Sequence, residues 1–191
     1  TATPINILSG ETKVLSITHD AQNAEIIWYK NNIEIPNSNS VNLNINEPGT
    51  YFATVKSTVN NCSETKTSDS IIVNNFKSFE VNIGTTSNYT TCVSTSAQLQ
   101  LELVKAIDVN DVSHGLTNSQ IALLNFKWFK NNLLLNGATN QQINVNGYEN
   151  NGDYFLEVSN GAVASNSNHL DVNLKLPEVE ITSNDSTYTY C

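Results

Sequence analysis

A chain of 191 residues with a net charge of −9, nine lysines and no arginine offers neither a basic stripe nor a guanidinium fork for phosphate, which argues against nucleic-acid binding. The charge is even, −3 over each of residues 1–76, 77–176 and 177–191, and about one residue in six is Asn. No apolar run reaches the roughly 18 residues of a membrane span, and the opening Thr1-Ala2-Thr3-Pro4 lacks the basic and apolar regions of a secretion signal, so targeting information is expected elsewhere in a longer protein.

Alternation of apolar and polar residues between turn-forming stretches predicts strands, lettered A, B, C, E, F and G. The first set lies near 3–8, 13–18, 25–30, 41–45, 50–56 and 66–73. Asn74-Asn75-Phe76 follows as a short linker. The second set lies near 79–84, 97–104, 124–130, 142–146, 153–159 and 168–175, followed by a second linker, Leu176-Pro177. No segment has a helical period.

The two sets are copies of one pattern. Trp28-Tyr29-Lys30-Asn31-Asn32 matches Trp128-Phe129-Lys130-Asn131-Asn132, one hundred positions on. Val41-Asn42-Leu43-Asn44-Ile45 matches Ile143-Asn144-Val145, and Pro48-Gly49-Thr50-Tyr51-Phe52 matches Asn151-Gly152-Asp153-Tyr154-Phe155. A third copy begins where Pro177-Glu178-Val179-Glu180-Ile181 repeats Phe79-Glu80-Val81-Asn82-Ile83, each running on to a Tyr and a Cys. Some seven short strands per hundred residues predict an all-β chain of tandem immunoglobulin-like β-sandwich domains. The expected division is 1–76, then 77–176 with an enlarged B–C loop, then 177–191 as the first strand of a third repeat.

In such a sandwich the strand C indole lies between the sheets, which suits Trp28 and Trp128, the only two in the chain. Gly-x-Tyr before strand F suits a corner in which the Tyr hydroxyl bonds back to backbone, giving Gly49 with Tyr51 and Gly152 with Tyr154. An inter-sheet disulfide is not expected. Its strand F positions hold Ala53 and Leu156, and the facing strand B residues are expected to be Ile17 and Leu101.

These motifs resemble the immunoglobulin-like repeats of large Bacteroidota surface proteins, the adhesin-like and gliding-motility-associated substrates of type IX secretion. The resemblance rests on Trp-aromatic-Lys-Asn, on Gly-x-Tyr-Phe, and on a Cys seven residues before the strand B Leu (Cys92 before Leu99) with another after strand F (Cys62 in Asn60-Asn61-Cys62). It implies secretion across the outer membrane and cell-surface display. The chain departs from the pattern at Leu8 and Ala162, each where a Cys is expected. Cys62, Cys92 and Cys191 are spaced too widely for zinc, and in a secreted protein thiols are usually paired. Two pairings are open: Cys62 with Cys92, or each Cys with one in a neighbouring repeat. The second accounts for the joint loss at Leu8 and Ala162 and is the expected one.

Other candidate sites are sparse. His19, His114 and His169 have no partner at a catalytic spacing and are expected to be solvent-exposed, so no enzyme activity and no cofactor are expected. Asp108, Asn110 and Asp111 form an oxygen-rich cluster that could open a calcium site, although a polar loop is the expected reading. That cluster lies in an insertion: Leu15 to Trp28 spans thirteen positions and Leu99 to Trp128 spans twenty-nine. The roughly sixteen extra residues, around 107–121, suit an inter-domain wedge, a ligand or glycan loop, or a tolerated insertion. Ser70 and Ser186 stand in short Asp-Ser motifs that match bacterial O-glycan acceptors.

Two functions compete. One is structural and adhesive: spacer repeats of a large secreted surface protein, with neighbouring repeats, and surface glycans or other surface proteins, as partners. The other is a carbohydrate-binding or accessory module of a secreted polysaccharide-degrading enzyme, stacking sugars on Tyr29, Phe129, Tyr188 or Tyr190.

Overall fold

The computed structural model describes residues 3–57 and 64–179. The first repeat consists of β1 (Ile5–Ile7), β2 (Lys13–Ser16), β3 (Ala24–Lys30), β4 (Ile33–Glu34), β5 (Asn42–Ile45), β6 (Gly49–Ser57), β7 (Thr65–Thr67) and β8 (Ile71–Asn75). One sheet runs β1-β8-β6-β3-β4 with β7 also on β6, and β2 pairs with β5 opposite it. Ile7, Leu15, Ile26, Trp28, Ile45, Tyr51, Ala53 and Val73 close the core between them.

The second repeat consists of β9 (Ser78–Thr85), β10 (Ser96–Ile107), β11 (Ser113–Gly115), the one-turn helix α1 (Asn118–Ile121), β12 (Asn125–Lys130), β13 (Leu133–Leu134), β14 (Gln142–Asn146), β15 (Gly152–Asn160), β16 (Val163–Asn166) and β17 (Leu170–Val172). Its sheets run β13-β12-β15-β16 with β17 on β15, and β11-β10-β14 with β9 on β10. Period two is visible in β9, where Phe79, Val81 and Ile83 are buried while Glu80 and Asn82 face out.

The motif residues do the same work in both copies. Trp28 is 2% exposed and Trp128 0%, and each indole Nε1 donates to a loop carbonyl, Ser40 at 2.8 Å and Asn140 at 2.9 Å. Tyr51 donates to the Glu47 carbonyl at 2.9 Å, and Tyr154 to that of Asn150 at 2.6 Å. A buried hydroxyl without such a partner is costly. Asn31 and Asn131 reach across to the start of β6 and β15, accepting from the Thr50 and Asp153 amides at 2.9 and 3.0 Å. A Cβ on Gly152 would lie 2.8 Å from that Asn131 Oδ1, which is why the corner takes Gly.

Four expectations change. The repeated Asn-Asn is a hairpin turn: Asn31 and Asn32 have φ of 52° and 65°, Asn131 and Asn132 of 49° and 63°. Two successive left-handed residues are what a tight hairpin needs, and they add β4 and β13 beside β3 and β12. Strand G is split in each copy, into β7 and β8 and into β16 and β17. At the break a serine hydroxyl takes the strand F amide, Ser68 from Ala53 at 3.0 Å and Ser167 from Leu156 at 2.9 Å, so the ladder is interrupted there. On strand B, Leu15, Ala97, Leu99 and Ala106 are buried, while Ile17 and Leu101 are half-buried. Ile17 lies past the end of β2, and a register shift between Leu101 and Leu103 redirects β10. Finally, Asn74 and Asn75 are not linker but the end of β8, and Phe76 is buried in the core cluster of the second repeat, together with Leu8.

Trp28→Ala and Trp128→Ala are each expected to destabilise their own sandwich by about 3–5 kcal/mol in denaturant melts, the range for losing a buried aromatic. A loss below about 1 kcal/mol would contradict the role assigned to the indoles.

Candidate functional site at the inter-domain joint

The densest set of polar side chains with buried partners lies where the repeats meet. Asn160 ends β15 and is only 7% exposed. Its Oδ1 accepts from the Ser9 amide at 2.6 Å, and its Nδ2 donates to the carbonyls of Ser9 and Leu123, both at 3.0 Å. One carboxamide therefore satisfies both backbone groups of a residue in the other repeat. Gly161 follows with φ of 59° in the two-residue turn to β16, and a Cβ there would stand 3.2 Å from the Ser9 Cβ. Leu8, 2% exposed, packs with Phe76 and the second core.

The insertion supplies the other half of the joint. Thr117 and Gln120 form a capping box around α1. With the Gln120 Oε1 held by the Thr117 amide at 3.0 Å, its Nε2 is directed to Glu11 Oε1, also at 3.0 Å. The other Glu11 oxygen accepts from the Leu8 amide at 3.0 Å. Leu123 approaches Gly10, where a Cβ would meet its Cδ2 at 3.7 Å. On the linker side, the Lys77 amide donates to the Ile107 carbonyl at 2.8 Å, Lys77 Nζ pairs with Asp111, and the Phe76 ring lies 5.7 Å from that of His114.

The oxygen cluster of the insertion is committed to this scaffold. Asp108 Oδ1 accepts from the Asn110 and Val112 amides at 2.8 and 2.9 Å, and Oδ2 lies 2.9 Å from His114 Nε2. The hydrogen bond from His114, then that from Val112, holds the Asp108 carboxyl down at about 2. Asp108, Asn110 and Asp111 are thus an Asx-type turn with an ion pair to Lys77, and among the described residues no group of three His, Cys, Asp or Glu side chains is placed to hold a metal.

The remaining candidates are scattered. His19 is exposed. His114 departs from the expected solvent exposure, being half-buried on Asp108, whereas His169 is exposed as expected, with its Nδ1 2.5 Å from Asp153 Oδ2 and its ring 4.8 Å from that of Phe155. Ser70 is exposed in the loop between β7 and β8. Cys92 is exposed and free. Cys62, Cys191, Ser186, Tyr188 and Tyr190 lie outside the described residues. The strand C aromatics stack on strand F neighbours, Tyr29 on Phe52 at 4.8 Å and Phe129 on Phe155 at 4.7 Å, with planes within 7° and 3°. One face of each is already covered.

The fold has known counterparts among solved structures. It resembles the three N-terminal domains of the highly immunogenic outer capsid protein of bacteriophage RB49, at TM-score 0.53 and 18% identity, over 88% of this chain and 55% of that one. The fold is that of tandem immunoglobulin-like domains. The amphioxus IgVJ-C2 molecule (13% identity, 88% of this chain and 99% of that one, TM-score 0.41) and murine CEACAM1b (15%, 90% and 96%, 0.38) also match. The chain spans about half the length of the capsid chain. No protein-family model matches the sequence, and no curated protein matches it. Among the described residues, no helix is long and apolar enough to cross a membrane.

Within the immunoglobulin-like pair, Asn160→Ala leaves the Ser9 amide and two carbonyls without partners. It is expected to cost about 1–3 kcal/mol and to broaden the inter-domain angle seen by small-angle scattering, while both cores stay folded. An unchanged profile would count against the clamp.

Asp108 makes the joint acid-sensitive. Its folded pKa lies below the unfolded value of 3.8, so its contribution is present above about pH 4 and lost as pH falls toward 2. Urea melts of the wild type and Asp108→Asn should differ at neutral pH and converge over that window. A gap that stays constant down to pH 2 would refute this.

Proposed function

We propose that this chain is a stretch of non-catalytic structural and adhesive spacer repeats from a larger secreted protein displayed on the cell surface, with neighbouring repeats of the same chain as its first partners. The observation that carries the reading is the joint. Asn160 of β15, together with Gln120 and His114 of the insertion, fixes one domain against the next, which is what a reach-extending array requires. We take residues 1–76, 77–176 and 177–191 as its units, with Leu8 and Phe76 as the apolar contribution of the first unit to the joint. The likeness to repeats of Bacteroidota surface proteins supports export through type IX secretion and display outside the outer membrane. Ser70, exposed beside Asp69, is an accessible position for an O-glycan.

The test is made on the intact organism. Protease added outside the cells should remove an epitope placed in these repeats, and the purified full-length protein should unfold under force in steps of one sandwich each. An epitope protected until lysis would overturn surface display. Glycan-array binding that is abolished by Phe129→Ala would overturn the spacer reading in favour of a carbohydrate-binding module.

A further inference from the structure

The joint between the first two repeats also shows what belongs at the free end of the second. Leu8 stands seven residues before Leu15 as Cys92 stands seven before Leu99, and Ala162 stands one hundred after Cys62. Leu8 and Ala162 are therefore the first-joint counterparts of the two cysteines. The structure brings them together. Both line one small cavity of about 140 Å³ at the joint, with Phe76 and Val163. Ser9, one residue after Leu8, and Gly161, one residue before Ala162, face each other with the Ser9 Cβ and a Cβ built on Gly161 3.2 Å apart, so the two backbones run close enough there for a disulfide bridge to be tested.

The far end of the second repeat carries the same seat, open among the described residues. In the first repeat, Ile5–Ile7 lies along Val73–Asn75 just before Leu8. In the second, the Cys92 amide donates to the Asn173 carbonyl at 2.7 Å, next to β17. The Lys175 amide donates to the Ser94 carbonyl at 2.8 Å, which brings Val93 and Leu176 to the same end. Those side chains are 64% and 66% exposed and Cys92 is exposed beside them, whereas Leu8 and Phe76 are buried at the equivalent end of the first repeat. Apolar side chains left open at a repeat end are the signature of a neighbour's docking face.

We infer that this end, around Cys92, Val93 and Leu176, is the seat of the following immunoglobulin-like repeat, and that Cys92 is bonded there to the cysteine in that repeat's turn after strand F, the position held by Cys62 in the first repeat. Cys62 enters by its sequence position alone. The first joint carries Leu and Ala in place of the pair and is held by Asn160 and the insertion instead. In forming the bond each thiol loses its proton, the two sulfurs join, and the two electrons reduce a disulfide of an exported thiol oxidant to its dithiol by exchange. The inference rests on the reading of the chain as consecutive repeats.

Leu8→Cys/Ala162→Cys in this chain, treated with glutathione disulfide, tests the geometry without reference to where the protein resides. The expected result is an 8–162 linked peptide and a mobility shift reversed by reductant. Because Leu8 is buried and its loss can unfold the joint, the unreduced full-length protein supplies the second measurement. There, peptide mapping should find Cys92 linked to the next repeat and resistant to alkylation. A folded double variant that does not cross-link, an alkylatable Cys92 in the full-length protein, or a Cys62–Cys92 linked peptide would each overturn the staple. Failure of the surface-protease experiment would overturn display alone and leave these outcomes standing.

Discussion

Each sandwich hangs on an indole that must be dry on its faces and hydrogen-bonded at its edge. With Ala53 and Leu156 where a disulfide would otherwise cross between sheets, Trp28 and Trp128 are the groups that span the core. Their Nε1–H atoms need acceptors because a buried donor left alone costs more than the bond itself contributes. The Ser40 and Asn140 carbonyls supply them and thereby fix the loop that precedes the next strand. The hairpin after the Trp, the Asn that caps strand F and the Tyr corner then follow in order, each holding the start of the next strand. Two sheets of unequal size, one of them a mere pair of short strands in the first repeat, stay in register through this relay of polar anchors.

How much of this the sequence disclosed depended on whether a residue's role was local. The Trp, the Gly-x-Tyr corner and the alternating strands act through neighbours within one repeat, so they recur at fixed spacing and could be read. The Asn-Asn pair was visible as part of a repeated motif, but β4 and β13 are two residues each, with Ile33 and Leu133 facing solvent, and alternation has nothing to register there. The serines that split strand G look like any loop serine until their bonds to Ala53 and Leu156 are seen. Asp108 read as a possible ion ligand because three oxygens in four residues suit a cation. Its actual partners are two amides of its own turn and an imidazole six residues on, and an Asx turn and an opening metal loop share the same composition.

The joint was the least legible part, because its contacts couple residues that no local pattern relates. Asn160 bonds a residue 151 positions away, and its worth comes from Ser9, which is unremarkable in sequence. Gln120 was more accessible: Thr117-Asn118-Ser119-Gln120 has capping-box spacing, yet a single turn is too short to show a period. The position of the insertion, by contrast, could be deduced from the mismatch in Leu-to-Trp spacing, and the wedge was one of the roles that its length allowed.

The Asn160 clamp has a geometric corollary. A side chain that bonds both the donor and the acceptor of a single foreign residue fixes not merely the separation of two bodies but their mutual rotation, since twisting either one breaks a bond of known direction. A joint fixed in this way, or by a covalent bridge in its place, carries each unit onto the next by a set screw operation. A long array then has a pitch and a handedness, and its stiffness resides in a few atoms at each node rather than in the bodies between them.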